Sequence, residues 1–315
     1  MPDVVILSLG DESPGGGCAG GCCGEGGGCG PERPRTPVLA CAQALTAAGA
    51  RVRTVTAASN AEIDDVLAAG DGPGRPDGLA WPAADGPRLV VATAADGQLR
   101  AVVRRLVRRY APPPSRRPAD LPATRTVPDL PPLAILPLGP SDTDLAAQLG
   151  LPREPADVAA AVLGGRSRRL DLLRTDSGSV TLDGALLGGA DDHGRALPWR
   201  GRVEVDDVLL TDGADPVVAT VIANAAGYAT VGGVPMVRDP DPADGVVDVA
   251  VAIPVVARGP FGRRRPRVEV RRARGRAVSV TPTAALPFND DGVSGNLARK
   301  RAWWTEPGAW AVYAH

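Results

Sequence analysis

Arg88-Leu-Val-Val-Ala-Thr-Ala-Ala-Asp-Gly-Gln-Leu-Arg-Ala-Val-Val-Arg-Arg-Leu-Val-Arg-Arg109 is the stretch from which the fold can be read. Leu89 to Ala92 is a short apolar run, as in a strand covered on both faces. Leu99, Val102, Val103, Leu106 and Val107 then recur at helical spacing, with Arg100, Arg104, Arg105, Arg108 and Arg109 on the other faces. Ala94 to Gln98 lies between them. A loop there sets backbone N–H groups at a helix N-terminus, where phosphate binds. The Asp96 carboxylate would hold a magnesium ion or order a water beside that phosphate.

On the N-terminal side, Val4 to Leu9 reads as a first buried strand, followed by a glycine-rich insertion over 10–30. Pro37 to Ala48 reads as a helix ended by Gly49. Val52 to Thr56 reads as a strand. Ser59 and Glu62 make a capping box for a helix carrying Ile63, Val66 and Leu67. This alternation begins a parallel α/β sheet. Residues 111–132 hold eight prolines, which predicts a surface loop without regular structure. Leu133 to Leu136 is another buried strand, and it leads into Pro137-Leu-Gly-Pro-Ser-Asp-Thr-Asp-Leu-Ala-Ala-Gln-Leu-Gly-Leu-Pro152. Asp144 stands at the start of a short helix there, either as its cap or as part of a ligand loop.

Beyond Gly150 the texture changes. A helix is expected near Pro155 to Leu163. Strands are expected at Arg169–Arg174, Ser179–Leu182, Arg202–Leu210, Val217–Asn224, Val246–Ile253, Arg267–Arg272, Ala277–Thr281 and Ala309–Tyr313. Alternation such as Val203, Val205 and Val208 among acidic neighbours suits antiparallel strands. The expected fold class is α/β plus β. A Rossmann-like parallel α/β domain covers 1–152, and an antiparallel β-sandwich-like domain covers 153–315.

The chain has 315 residues, a formal net charge of −1 and one lysine, Lys300. Charge gives no indication of nucleic-acid binding. No apolar run approaches the roughly 20 residues of a membrane span, and Val4 to Leu9 lacks the form of a signal peptide. The expected location is the cytoplasm. Cys18, Cys22, Cys23 and Cys29 crowd the glycine-rich insertion. Four thiols could bind zinc or a soft metal, but CxxxCCxxxxxC is not a zinc-knuckle spacing, and a reduced Gly/Cys insertion is the simpler reading. Cys41 is expected in the core. Nine arginines lie between Arg258 and Arg276, around Phe261. They form either a solvated hairpin or a contact for anionic lipid headgroups.

The opening stretch resembles the GGDGT signature of the diacylglycerol kinase catalytic domain family, which includes sphingosine kinases and bacterial lipid kinases. Asp96 and Gly97 match, whereas Ala94, Ala95 and Gln98 depart. Asp11 to Gly16 stands loosely where the family has NPxSG. Pro137 to Pro152 resembles PLGTGNDxAxxLGIP, with Gly139, Asp144, Gly150 and Pro152 in step. Asn224, Gly232 and Gly233 resemble the family's "vaN…GG" strand and turn, and Asp244, Gly245 and Asp248 its DDGxLD segment. Asp291 and Gly292 resemble its DGE turn, with Val293 in place of Glu.

The resemblance implies ATP-dependent transfer of the γ-phosphoryl to a lipid hydroxyl, with ATP and Mg2+ as cofactors. Asp96, Gly97, Gly139, Ser141 and Asp144 would hold nucleotide. Asp96 and Asp291 would be catalytic, with Asp291 or its neighbour Asp290 as base. Asp244 would help hold a magnesium ion, as a carboxylate there does in bacterial members, unless it serves only as a turn residue. Expected partners are a lipid substrate, the anionic inner face of a membrane and a second copy in a homodimer, with no nucleic acid. The departures leave two further readings. One is a catalytically degenerate nucleotide- or lipid-binding regulatory homologue, and the other an NAD kinase-like enzyme acting on a soluble substrate.

Overall fold

The structure is a computed structural model that describes residues 1–10, 36–190, 193–258 and 264–314. The Cys18–Cys29 cluster and the Asp11–Gly16 loop lie outside the described residues. The chain forms two compact units. One comprises Met1–Arg116, Val127–Arg169 and Trp310–His315, and the other Arg117–Thr126 and Leu170–Ala309. The units thus part at 169/170, where the sequence suggested 152/153, and two short segments lie in the unit that their neighbours in sequence do not.

The first unit opens with β1 (Asp3–Leu9), α1 (Thr36–Ala47), β2 (Arg51–Ala57) and α2 (Asn60–Ala68). β3 (Arg88–Thr93), α3 (Asp96–Tyr110), β4 (Leu133–Pro137), α4 (Leu145–Gln148) and α5 (Pro155–Gly164) follow. The strands are parallel in the order β2-β1-β3-β4, and Val312 pairs parallel with Leu133 at the far edge. Central strands buried on both faces carry unbroken apolar runs, as the sequence indicated. Val4, Ile6, Val90 and Leu136 form one face and pack against Val38, Cys41 and Leu45 of α1 and Val158 and Val162 of α5. Burial pushes the Cys41 thiol up to about 11. On the other face, Leu99, Val102, Leu106 and Val107 of α3 are buried, and Arg105 pairs with Asp64 of α2.

Half of the expected capping box forms: Ser59 Oγ accepts from Glu62 N–H (3.2 Å), whereas the Glu62 carboxylate reaches one residue past the cap and accepts from Ala58 N–H (2.7 Å). The proline-rich stretch departs from expectation. Pro114–Arg116 makes a 3-10 turn, and Leu121, Arg125, Val127 and Leu130 are buried. Residues 117–126 belong to the second unit, where the wholly buried Glu306 accepts from Thr126 N–H (2.5 Å) and from the Trp304 indole (2.9 Å). A loop that packs and finds partners for its polar groups need not lie on the surface.

The second unit is β-rich: β5 (Ser167–Thr175), β6 (Val180–Thr181), β7 (Gly184–Leu187), β8 (Gly189–Ala190), β9 (Ala196–Leu197), β10 (Gly201–Val205), β11 (Val208–Thr211), β12 (Ala219–Ala223), β13 (Thr230–Val231), β14 (Val234–Pro235), β15 (Val247–Arg258), β16 (Arg264–Gly275), β17 (Ala277–Pro282), β18 (Leu286–Asp290), β19 (Val293–Leu297) and β20 (Arg301–Tyr313). An antiparallel sheet runs β16-β15-β12-β7-β18-β19, and β11-β10-β17-β20 forms a second antiparallel run. One core draws Leu187, Ile222, Val249 and Val251 from the first sheet and Val203, Val205, Val280 and Trp303 from the second. Arg202–Leu210, expected as one strand, is a hairpin, because Asp206 takes φ 46 and turns the chain. The first sheet carries a smaller core on its other face, where Val221, Ala223, Ala250 and Ala252 meet Met236 and Val237. Among the described residues no helix is long and apolar enough to cross a membrane.

Candidate functional site

In the first unit β1 lies between β2 and β3, so the chain leaves β1 toward one neighbour and later builds outward on the other side. At such a switch the connections at the carboxyl ends of the strands diverge and leave room for a ligand. The connection after β3 is Ala94-Ala95, directly before α3. Thr93 Oγ1 donates to Ala95 O (2.5 Å) and accepts from Ala95 N–H (3.1 Å), which tightens the turn. Gln98 folds back, and its Oε1 accepts from Ala94 N–H (2.8 Å). The residue that departs from the signature threonine therefore caps the loop that it follows.

Asp96 opens α3, and its carboxylate accepts from Leu145 N–H (3.1 and 3.3 Å). That contact brings the β3–α3 and β4–α4 connections together, so Asp96, Gly97, Gly139, Ser141 and Asp144 gather at one end of one sheet. Gly139 has an ordinary φ, and a Cβ added there would meet nothing within 4 Å. Its surroundings are open, as close approach by a ligand requires. Ser141 Oγ accepts from Thr143 N–H (3.3 Å). Asp144 is the N-cap of α4, accepting from Ala147 N–H (2.9 Å), and it also pairs with Arg153 (3.0 Å). The capping role is thus present, and the arginine already neutralises this carboxylate.

In the second unit Asp291-Gly292 is the two-residue turn of the β18–β19 hairpin, with φ 50 and 79. Asp291 is 2% exposed. Its carboxylate accepts from Leu182 N–H (2.8 Å), Asp183 N–H (2.9 Å) and Gly184 N–H (3.2 Å). Asp290, equally buried, accepts from Thr181 Oγ1 (2.7 Å), and Asp183 accepts from Gly227 N–H (2.9 Å). Tyr228 faces this group: its hydroxyl donates to Asn289 Oδ1 (2.6 Å) and accepts from Gly292 N–H (3.0 Å). Burial, and then the charges of Asp291, Asp183 and Asp290, push the Tyr228 hydroxyl well above its ordinary range. Neither Tyr228 nor Asp183 stands out in the sequence, because no periodicity or motif connects residues that far apart.

Asp244 does not stand ready for a metal. Its carboxylate accepts from Val246 N–H (3.0 Å) and from the Arg274 guanidinium, which also pairs with Asp248 (3.0 Å). Nearby Asp171 accepts from Gly245 N–H (2.6 Å) and Gly308 N–H (2.7 Å), and burial raises its carboxyl pKa. A guanidinium and main-chain N–H groups fill the places around these acids. Among the described residues no cluster of three or more His, Cys, Asp or Glu side chains is arranged to hold a metal. The donor set does not fit magnesium here.

The same unit holds a cavity of about 430 Å3, within the usual range of small-molecule sites. Its walls are glycine and aliphatic, among them Leu186, Gly188, Val218, Val234, Met236 and Val268.

Residues 45–175 match the diacylglycerol kinase catalytic domain family, the family that the sequence motifs resemble. That span contains Asp96, Gly97, Gly139, Ser141 and Asp144. No curated protein matches the chain. Among solved structures, a diacylglycerol kinase from Bacillus anthracis str. Sterne is similar with a TM-score of 0.61 at 13% identity. The likeness covers 99% of this chain and 97% of that one. A second, described as a putative diacylglycerol kinase from the same organism, has the same TM-score and coverage at 14% identity. At such identity the likeness is one of fold.

Proposed function

From a chain whose residues 45–175 match the diacylglycerol kinase catalytic domain, we propose an ATP-dependent kinase that phosphorylates a lipid hydroxyl. The observation that carries the reading is the meeting of the two motif loops at the carboxyl end of the parallel sheet, fastened by Asp96 to Leu145 N–H. Phosphate would lie against the β3–α3 loop and the open side of Gly139. Asp96 would hold the magnesium that accompanies ATP, an ion that typically keeps several waters and uses one or two carboxylates plus phosphate oxygens. Bound there, the ion would neutralise charge on the transferring phosphoryl. The acceptor hydroxyl oxygen forms the new bond to phosphorus, ADP leaves, and the hydroxyl proton passes to a base. The apolar cavity of the second unit supports a lipid acceptor over a soluble one such as NAD.

One observation favours a second reading, a nucleotide- or lipid-binding relative without turnover. Asp291, the expected base, is buried and spends its carboxylate on three main-chain N–H groups. A base must come within hydrogen-bond reach of the proton that it takes.

Calorimetric titration with Mg-ATP, then turnover on a panel of lipids, separates the readings. Asp96→Asn keeps an acceptor for Leu145 N–H and removes the charge, so Mg-ATP should bind about tenfold more weakly. An intact protein that binds no nucleotide at millimolar Mg-ATP would sink the kinase reading. Binding without phosphorylation of any lipid would select the second.

A further inference from the structure

The amino ends of the parallel strands, opposite the end that gathers Asp96 and Gly139, line a second cavity of about 450 Å3. Its lining residues belong to the first unit. Arg88 opens β3 there, Pro131 and Pro132 lead into β4, and Leu67 and Tyr110 come from the last turns of α2 and α3. The connection between α2 and β3, residues 69–87, forms a further side. Apart from a bridge between Asp71 and Pro82 it has no regular structure, yet it is fastened. Ala83 N–H donates to Gly70 O (2.9 Å), Gly72 N–H donates to Trp81 O (2.7 Å), and the Arg75 guanidinium lies 4.0 Å from the centre of the Trp81 ring. Connections of that length in a compact domain are uncommon and usually functional. A wall held this way is formed before any ligand arrives.

Two polar groups of this cavity have bonding capacity left over. Arg88 is half-buried, and its Nη1 donates to Val162 O and to Leu163 O (2.9 Å) at the carboxyl end of α5. Those carbonyls fix the side chain, and Gly165 makes room for it, since a Cβ there would stand 3.2 Å from Nη2. The negative end of α5 accounts for Nη1. It does not account for Nε and Nη2, which make no hydrogen bond among the described residues, where no carboxylate pairs with Arg88 either. The acids of the lining are turned to other uses: Asp3 pairs with Arg51 (2.6 Å), and Asp85 is exposed. Tyr313 is 6% exposed, and its hydroxyl has no hydrogen-bond partner among the described residues. Burial raises the pKa of that hydroxyl and the nearby Arg88 charge opposes the rise, so it stays a neutral donor beside the guanidinium.

We propose that this cavity binds a small organic carboxylate. The Nε–Nη2 edge of Arg88 and the Tyr313 hydroxyl hold its two oxygens, and its apolar body lies against Leu67, Leu106 and Pro131. The volume is that of a small-molecule site. A guanidinium whose side edge is open takes a planar anion by two parallel hydrogen bonds. The aliphatic walls disfavour an inorganic ion, which would have to shed its water against them. α3 has Tyr110 at this cavity and Asp96 at its other end. At 1.5 Å per residue the two lie roughly 20 Å apart, so the carboxylate does not compete with nucleotide. The assignment does not depend on the kinase reading.

Phenylacetate is the probe, phenylacetamide its uncharged counterpart, and saturation-transfer NMR on the full chain reads binding. Phenylacetate should bind saturably in the millimolar range, and the amide at least about tenfold more weakly. Tyr313→Phe should weaken phenylacetate about threefold to tenfold and leave the Tm unchanged, because the lost hydroxyl orphans no partner. Arg88→Lys keeps a cation at the end of α5, removes the two-pronged edge and should cost about tenfold. Circular dichroism and Tm check that it folds, and Tyr313→Phe decides alone if it does not. Saturating Mg-ATP should leave phenylacetate affinity unchanged. The proposal is overturned by the absence of saturable binding, by equal binding of acid and amide, or by undiminished affinity in the folded variants. Displacement of phenylacetate by Mg-ATP, or by inorganic phosphate at equal concentration, also overturns it, the latter in favour of a site for a free inorganic anion. A protein that binds phenylacetate through Arg88 but no nucleotide would lose the kinase reading and keep this one.

Discussion

Asp291 shows how far a single residue can be read. An Asp-Gly pair is a turn signal, because it accommodates the positive φ that a tight turn needs, and the turn is there with φ 50 and 79. What the carboxylate binds was not legible. Its partners, Leu182 to Gly184, lie more than a hundred residues away and are presented as bare N–H groups between two short strands. Asp291→Asn keeps a residue that tolerates the left-handed turn and replaces one acceptor oxygen by a donor. It should cost roughly 1–3 kcal/mol of stability, the usual cost of leaving buried polar groups unpaired, as measured by urea unfolding. Unchanged stability with abolished turnover would instead make Asp291 a base and not a brace. The sequence places Asp96 and Asp144 at helix starts, and they are there. The Arg153 that neutralises Asp144 follows no spacing rule.

At the scale of elements, the legible parts were those with long apolar periods: β1, β3, β4, α1, α2 and α3. Strands β7, β18 and β19 carry no clear sequence signal. They are five residues or fewer, and glycine, asparagine or aspartate breaks their alternation. β15 and β16 run to twelve residues each, well past the ends expected from sequence, because pairing supports residues that propensity alone would release. That pairing sets Asp248 opposite Arg274, and Arg274 then reaches Asp244 as well. A cross-strand arginine thereby stands where the family resemblance suggested magnesium. Adding millimolar Mg2+ should leave the Tm of the intact protein unchanged. Arg274→Ala should lower the Tm, and Mg2+ should then restore part of the loss by neutralising Asp244 and Asp248. A rise in Tm of the intact protein with Mg2+, in the absence of nucleotide, would refute this account.

For the whole molecule, the division into an α/β part and a β part was evident from the change of texture after Gly150. The interleaving was not. Segment 117–126 looked like solvent-exposed connection, yet Glu306 holds it in the second unit. β20 looked like a short final strand over Ala309–Tyr313, yet it starts at Arg301 and serves both units. Its residues 301–304 pair with β17, and its Val312 pairs with Leu133. Trp310, Ala311, Val312 and Tyr313 are all buried. Removing residues 310–315 strips the edge of the parallel sheet and should abolish the cooperative unfolding of the first unit. Hydrogen exchange at β4 reports this directly, and protection of Leu133–Leu136 equal to that of the full chain would contradict it.

The order of synthesis gives that edge strand a further meaning. A ribosome makes β1 to α5 first, with residues 117–126 among them, then Leu170–Ala309 of the second unit, and only afterwards the segment whose Val312 pairs with Leu133 of β4. Until then the outer edge of β4 offers unpaired N–H and C=O groups to any passing strand. The nascent first unit must therefore wait, with its sheet open, through the making of some 140 residues of the second. At elongation rates of about 5–20 residues per second that interval lasts roughly 7–30 s, long enough for a chaperone to be the edge's first partner.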